Sequence, residues 1–305
     1  MSHPFTALRH VFGWTLASAL LLLALIAAAQ GVGALRHGDV LAFTSDRDGD
    51  LDIYLYDLTL GLTIALTHNT LRDDNPAWSP DGQWLAFNRW ASPDNSEIYV
   101  MDAFGRRVRR LTDNDTVDAW PSWSPDGTHL LFYATRAGQN DVYVMSREGG
   151  DAHQVRQTNL NDSLPRYSPD GTQIAFTSNA DIFVMSSDGS TLRRLTQTPW
   201  YDSQAEWSPD GQRILFVSER ESLTVGRQNP GIFNIYLMDT SGTLLTQLSA
   251  DLGFNQQARW SPDGTRIVFV SMRGGESRLY LMGADGGQVR ALETGGSGLS
   301  PAWMP

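Results

Sequence analysis

Short apolar runs separated by polar turns recur along the chain from residue 38 onward. Each unit holds an aromatic residue, the tetrapeptide Ser-Pro-Asp-Gly, an apolar run such as Leu130-Leu131-Phe132, a variable loop, and a second run such as Val142-Tyr143-Val144-Met145. A glycine-containing turn then leads to a fourth segment that often ends in Leu-Thr. The runs are rich in β-branched and aromatic residues and are apolar at successive positions. This pattern predicts strands that are covered on both faces.

An aromatic residue before each turn, here called the anchoring aromatic, marks each repeat. The anchoring aromatics are Trp78, Trp123, Tyr167, Trp207, Trp260 and, without a turn after it, Trp303. They are spaced by 45, 44, 40, 53 and 43 residues. In Ser-Pro-Asp-Gly, proline presets φ at the second position and glycine accepts a positive φ at the fourth, so the tetrapeptide predicts a tight turn. The period indicates a repeat architecture.

Four strands per unit predict the blade of a β-propeller, in which each sheet lies between two neighbours. Five units are whole. Residues 40–67 supply a second, third and fourth strand, and residues 299–305 supply the missing first strand. We therefore predict an all-β, six-bladed propeller of four-stranded antiparallel blades, closed by pairing of the C-terminal strand with the N-terminal blade. Because closure removes exposed sheet edges, we expect a monomer.

The anchoring aromatic with Ser-Pro-Asp-Gly, together with Ile98-Tyr99-Val100-Met101-Asp102, resembles the TolB-type, WD40-like propeller repeat. The resemblance covers residues 38–305 and implies a six-bladed propeller with an extracytoplasmic interaction role. TolB carries an α/β domain before its propeller, whereas here an apolar segment precedes the repeats. The resemblance therefore does not transfer TolB's partners to this chain.

The segment before the repeats is apolar. Residues 11–29 form a run of nineteen residues without a charge, flanked by Arg9 and Arg36. This length can cross a bilayer as a helix, although Ala27-Ala28-Ala29 also resembles a signal-peptidase site. We favour a single transmembrane anchor over a cleaved signal. The domains predicted are thus 1–37, a signal-anchor or signal peptide with a short linker, and 38–305, the propeller. Both interpretations place the propeller in the periplasm or at the cell surface.

Composition and charge exclude several chemistries. The chain has no cysteine, and its 23 basic residues are all arginine, which excludes disulfides, thiolate metal sites, lysine Schiff bases and the lysine of a phosphate-binding loop. The net charge is −11, and residues 38–305 hold 21 of the arginines and all 34 acidic residues. Such an acidic domain repels a phosphate backbone, so nucleic acid is not expected as a partner.

The position five residues before each anchoring aromatic is a candidate binding site. It holds Asp73, Asp118, Asp162, Asp202, Asn255 and Gly298. We expect this position at the channel mouth on the upper face, which is formed by the loops into each first strand and between the second and third strands. Clustered carboxylates would attract a cation or a basic peptide, and calcium, which takes about six to eight oxygen ligands, is a candidate in the channel. Alternatively, each aspartate accepts hydrogen bonds from backbone N–H groups of its own loop.

Upper-face loops also carry aromatic residues outside the repeat pattern: Trp90, Trp120, Trp200, Tyr201 and Phe254. Such residues could stack on sugars or bind a peptide. Alternatively, they pack against neighbouring loops. The loop over residues 218–231 is unusually long, which is typical of functional loops and of tolerated insertions.

A non-catalytic, extracytoplasmic scaffold that binds a protein or peptide is the function expected. Gly-x-Ser-x-Gly is absent, and no pair of the six histidines has metal-ligand spacing. We therefore expect no catalytic residues and no cofactor other than calcium. Two alternatives stay open. One is a glycan- or small-molecule-acting lyase or hydrolase that uses the channel-mouth carboxylates, and the other is a carbohydrate-binding or sensor module.

Overall fold

A computed structural model describes residues 38–220, 232–249 and 253–305. These residues form 24 strands in six four-stranded antiparallel sheets, so the predicted six blades of four strands are confirmed. No helix occurs in the described ranges, and none there has the length and apolar character that a membrane span requires. The anchor predicted over residues 11–29 lies outside them.

The strands follow one another blade by blade. The first twelve are β1 (Val40–Ser45), β2 (Asp52–Asp57), β3 (Leu62–Ala65), β4 (Arg72–Trp78), β5 (Trp84–Ser92), β6 (Asn95–Asp102), β7 (Arg109–Arg110), β8 (Asp118–Trp123), β9 (His129–Arg136), β10 (Gln139–Ser146), β11 (His153–Gln154) and β12 (Asp162–Tyr167). The second twelve are β13 (Gln173–Ser178), β14 (Asp181–Ser186), β15 (Leu192–Arg194), β16 (Asp202–Trp207), β17 (Arg213–Ser218), β18 (Asn234–Asp239), β19 (Leu244–Gln247), β20 (Asn255–Trp260), β21 (Arg266–Ser271), β22 (Arg278–Gly283), β23 (Arg290–Ala291) and β24 (Leu299–Trp303).

One sheet combines both ends of the described chain. Its strand order is β24-β1-β2-β3, whereas the other five sheets use consecutive strands. Leu41 pairs with Trp303 in the register of β1 and β24. Beyond the ladder, the Gly38 amide donates to the Met304 carbonyl at 3.1 Å, and the Met304 amide donates to the Val40 carbonyl at 2.9 Å.

The core lies between the sheets. The second strand of every blade carries a phenylalanine that is at most 1% exposed: Phe43, Phe87, Phe132, Phe176, Phe216 and Phe269. Each of six buried clusters draws on two adjacent sheets; one of them joins Ile98 of β6 to Trp123 of β8 and Leu130 of β9. Burying one such side chain stabilises the fold by about 1.5–3 kcal/mol. Strands that are apolar on both faces are thereby covered on both faces.

The Ser-Pro-Asp-Gly turns lie on the lower face of the propeller, opposite the upper-face loops. In one of them the Ser124 hydroxyl donates to Asp126 at 2.6 Å, and Gly127 adopts a φ of +69°. A Cβ at Gly127 would lie 3.6 Å from Cδ of Pro80 in the preceding turn, so neighbouring turns touch around the ring. Proline and glycine therefore shape both the turn and the contact between blades.

Every first strand contains a bulge three residues before its anchoring aromatic. Its central residue has a positive φ between 47° and 59° in all six blades: Asn75, Trp120, Leu164, Gln204, Gln257 and Ser300. In β12, for example, the register with β13 shifts between Ser163 and Arg166. Left-handed backbone at a residue other than glycine costs free energy, and its presence in all blades marks it as part of the fold.

Candidate functional site

The upper face is built by loops that bond to one another. The Asn95 side-chain amide, at the start of β6, donates to the Asn114 carbonyl, before β8, at 3.0 Å. The Tyr201 amide, before β16, donates to Glu219, after β17, at 3.2 Å. Loops into first strands and loops between second and third strands thus share one face.

The carboxylates predicted at the channel mouth lie buried inside their own blades. Asp73, Asp118, Asp162, Asp202 and Asn255 are at most 2% exposed. Their hydrogen bonds come from side chains rather than from backbone amides. Arg89 makes a bidentate pair with Asp73 at 2.6 and 2.8 Å, and Asn69 adds a bond at 2.7 Å.

Two further blades repeat this ion pair, and one does not. Arg136 contacts Asp118 at 2.8 Å, and Arg220 contacts Asp202 at 3.2 Å. Asp162 accepts bonds from the Ser178 and Thr158 hydroxyls at 2.6 and 2.8 Å instead. A ligand would reach these groups only by displacing such partners, so direct binding by the ring stays a prediction.

Burial raises the pKa of two carboxyl groups of the ring. Removal from water raises the pKa of the Asp118 carboxyl despite the nearby Arg136 guanidinium. Burial likewise raises the pKa of Asp162, against the hydroxyl bonds from Ser178 and Thr158. Asp162 is therefore the ring carboxylate that combines a raised pKa with the lack of an arginine partner.

Arginines missed by the sequence analysis complete the upper rim. Their guanidinium groups stack on the Phe–Tyr pair of their own blade, as Arg47 does 4.4 Å from the Tyr54 ring centre and Arg220 does 4.7 Å from that of Tyr236. A signal was present, because arginine follows a serine by two positions in Ser45-Asp46-Arg47, Ser218-Glu219-Arg220 and Ser271-Met272-Arg273. These side chains bring cationic groups to the ring that the sequence predicted to be acidic.

The structure gathers only some of the predicted aromatics. Tyr201 is 43% exposed, and its ring centre lies 6.0 Å from that of Phe233, which in turn lies 4.8 Å from Phe254. Trp90 lies elsewhere, under the Arg72 guanidinium at 5.3 Å. Trp120 and Trp200 are half-buried, Trp120 at the bulge of β8. We call Tyr201, Phe233 and Phe254 the aromatic cluster.

A belt of polar bulge residues crosses blade boundaries. The Gln204 side-chain oxygen accepts a hydrogen bond from the backbone amide of Gln257 at 2.5 Å. The Gln257 side-chain oxygen accepts one from the backbone amide of Ser300 at 2.8 Å. The Ser300 hydroxyl donates to Asn75 at 2.9 Å, and Asn75 donates to Asn88 at 3.0 Å. Four consecutive blades are thereby linked around the channel.

Two other sequence features have simple placements. Residues 46–51 form the hairpin between β1 and β2, closed by a bond from the Gly49 amide to the Asp46 carbonyl at 3.0 Å. In the long loop over 218–231, residues 221–231 lie outside the described ranges. Within those ranges no group of three or more histidine, aspartate or glutamate side chains is arranged to hold a metal ion, and calcium binding stays a prediction.

Family comparison agrees with this architecture. The model of the TolB beta propeller domain matches residues 89–180 and 221–305, more than half of the chain. The chain belongs to the TolB beta-propeller family. The resemblance seen in the repeat is thereby confirmed. The model of the Tricorn protease N-terminal beta propeller domain also matches, over residues 138–231.

Similar proteins include TolB proteins and an enzyme. TolB from Acinetobacter baumannii superposes with a TM-score of 0.71 at 22% identity, covering 95% of this chain and 72% of that one. An oligogalacturonate lyase in complex with manganese superposes with a TM-score of 0.57 at 18% identity, covering 83% and 73%. The Tol-Pal system protein TolB of Geobacter sulfurreducens is 36% identical over 80 residues, 26% of this chain and 18% of that protein. The curated relatives are matched over a quarter or less of their length, and the structural likenesses show the fold alone.

Proposed function

We propose that this protein is a non-catalytic propeller scaffold that holds a protein or peptide partner against its upper face outside the cytoplasm. The aromatic cluster is the observation that carries this proposal. Tyr201 presents an exposed ring that makes an edge contact with Phe233, and Phe233 in turn makes an edge contact with Phe254. A rigid, partly exposed aromatic group of this kind is typical of the energetic centre of a protein interface.

The ion pairs of the ring support a binding role over acid–base chemistry. A general acid or base must exchange a proton with a substrate at hydrogen-bond distance. Asp73 and Asp202 are instead fully buried and form ion pairs with Arg89 and Arg220. These ion pairs join the start of the first strand to the end of the second strand in each of the two blades. Replacing the two aspartates with alanine would disturb the fold, so the proposal is better tested through exposed residues.

A photo-crosslinking residue at position 201, in the full chain made by its native cells, tests the proposal. We expect a discrete adduct with another envelope protein. The matched control carries the same residue at position 104, because Phe104 is also exposed, at 53%, but lies in the β6–β7 turn of the lower face. Equal adducts from both positions, or none from position 201, would contradict the proposal. Adducts found only with cytoplasmic proteins would contradict the location.

A second candidate function is an enzyme acting on a glycan, and Asp162 is the observation that favours it. Burial raises the pKa of Asp162, the direction that suits a general acid, and its partners are two hydroxyl groups that a substrate would have to displace rather than an arginine. A turnover screen with acidic and neutral oligosaccharides, with and without calcium, tests this candidate. Activity in the unmodified protein that is lost in Asp162→Asn would support the enzyme and overturn the scaffold.

A further inference from the structure

The lower end of the channel differs from the upper rim. The residue just before each anchoring aromatic points to this difference, because the six positions are Ala77, Ser122, Arg166, Glu206, Arg259 and Ala302. All six line one cavity of about 320 Å³, together with the anchoring aromatics and prolines of the Ser-Pro-Asp-Gly turns. Small residues on three blades leave space opposite the charged residues on the other three.

The charged side chains of this cavity are two arginines and one glutamate. Glu206 lies between two guanidinium groups, 3.2 Å from Nε of Arg166 and 3.3 Å from Nη1 of Arg259. The three side chains are only 12–20% exposed. Among the side chains of the cavity one glutamate faces two arginines, in a chain whose net charge is −11, and Pro305, at the end of the sequence, also lines the cavity. An excess of like charges that are partly buried is costly unless an opposite charge lies close to them.

The two arginines keep unused hydrogen-bond donors. Besides Glu206, Arg166 donates from Nη1 to the Pro165 carbonyl at 3.0 Å, and Arg259 donates from Nη1 to the Ala258 carbonyl at 3.2 Å. Each guanidinium has five N–H groups. Among the described residues nothing accepts a hydrogen bond from Nη2 of either arginine. A fork of free guanidinium donors matches the geometry of a carboxylate.

Indole groups of the same cavity also lack partners. Nε1 of Trp123 donates to the Ala77 carbonyl at 3.0 Å, so an anchoring tryptophan is able to bond to the preceding blade. Trp78, Trp207 and Trp260 are 5–8% exposed, and their buried Nε1 atoms have no hydrogen-bond partner in the described part of the chain. Unpartnered buried donors are rare and cost about 1–3 kcal/mol each. Because these Nε1 atoms expose almost no surface, the tryptophans contribute an apolar lining to the cavity rather than hydrogen-bond donors.

We propose that this cavity binds the carboxylate of a compact organic anion, which sits between Arg166 and Arg259 with its body against the ring of tryptophans and prolines. The volume is at the lower end of the range of ligand pockets, about 300–1,000 Å³, and suits a single sugar ring or a terminal proline. A single negative charge matches the excess of one arginine over glutamate among the cavity's side chains. Burial and then the nearby Arg259 lower the pKa of Arg166 to about 9, a repulsion that a bound anion relieves.

Calorimetric titration of the full chain in mild detergent tests the site with two probes. Glucuronate represents a free sugar acid, and N-acetylproline represents the carboxyl end of a peptide; glucose and N-acetylprolinamide are their neutral counterparts. We expect one of the acids to bind and its neutral counterpart to bind at least about tenfold more weakly. The acid that binds identifies the source of the carboxylate.

Three variants separate this site from general effects of charge. Arg259→Gln should weaken binding about tenfold, and Glu206→Gln should strengthen it about threefold or more, because it removes the competing carboxylate. Arg193→Gln, on the outer strand β15, removes an exposed arginine that donates to the Thr240 carbonyl and should leave affinity unchanged.

Opposite effects of Arg259→Gln and Glu206→Gln are the required result. The proposal is overturned if neither acid binds the unmodified protein at millimolar concentration, if the neutral counterparts bind as well, or if Arg193→Gln weakens binding as much as Arg259→Gln. Since the cavity and the aromatic cluster lie on opposite faces, failure of one proposal leaves the other standing.

Discussion

The turn between the third and fourth strands tests how tightly neighbouring blades are joined. Gly105, between β6 and β7, has a φ of +73°, and a Cβ there would lie 2.6 Å from the Leu66 carbonyl oxygen of the preceding blade. Ordinary van der Waals contact begins at 3.4 Å, and that oxygen belongs to the backbone, so no flexible side chain is available to move aside. Leu66 is itself held by a bond from its amide to the Ile53 carbonyl at 2.7 Å.

Gly61 provides a matched control in the equivalent turn of another blade. Its φ is +65°, and a Cβ there would meet nothing within 4 Å. Gly61→Ala should therefore cost only the left-handed backbone term, about 1–2 kcal/mol. Gly105→Ala adds the cost of forcing an atom between two blades, typically about 1–3 kcal/mol, for a total of about 2–5 kcal/mol.

Thermal unfolding followed by circular dichroism measures the difference. At about 2–3 °C per kcal/mol for a domain of this size, Gly61→Ala should lower Tm by about 2–6 °C and Gly105→Ala by about 4–15 °C. Equal losses in the two variants would refute the reasoning, because the backbone term alone would then account for both. A Gly105→Ala variant as stable as the unmodified protein would show that the blades can separate freely.

Three further predictions follow from single contacts. Asp73→Asn should lower the free energy of unfolding by about 2–3 kcal/mol because it leaves Arg89 without its bidentate partner, whereas Asp162→Asn should change it by less than about 1 kcal/mol; urea unfolding compares them. The free energy of unfolding should fall as the pH drops from about 4 to about 2. The Ser124 hydroxyl and backbone amides lower the pKa of Asp126 to about 2, so the stability that this carboxylate adds above its unfolded pKa is lost when it is protonated. In Ser124→Ala the midpoint of urea unfolding should depend less on pH across this range. Deletion of residues 299–305 removes β24 and uncovers the edge of β1, so it should abolish the cooperative monomer seen by size-exclusion chromatography and melting; an unaltered monomer would contradict the pairing.

The number of blades and their strands followed from local signals. An anchoring aromatic before Ser-Pro-Asp-Gly fixes a turn by backbone preference, and an apolar run after it requires cover on both faces. Both signals lie within a few neighbouring residues, so they can be found in one sequence. The bulge at positions such as Trp120 and Leu164 has no such signal, because the residues there share neither glycine nor a common side chain and the strain is imposed by the ring.

The candidate site was less predictable because its partners are set by pairing across strands. The position five residues before the anchoring aromatic, predicted at the channel mouth, is buried, and the charge that neutralises Asp73 lies sixteen residues later, directly opposite it in the register of β4 and β5. A sequence shows the acid and the arginine separately and does not show that they face each other. Their buried pairing turns a predicted acidic rim into one whose carboxylates are largely neutralised.

Differences between equivalent positions carry the functional information in this propeller. Residues that recur in every blade, such as the turn glycines and the buried phenylalanines, are fully explained by folding. The position before the anchoring aromatic is free to vary, because it faces the channel rather than a neighbouring sheet, and only there do Arg166, Glu206 and Arg259 break the pattern of small residues. Folding alone gives no reason to place two arginines beside one glutamate in a channel lined by tryptophan. Ligand binding gives such a reason, and the opposite effects expected of Glu206→Gln and Arg259→Gln on carboxylate affinity test it directly.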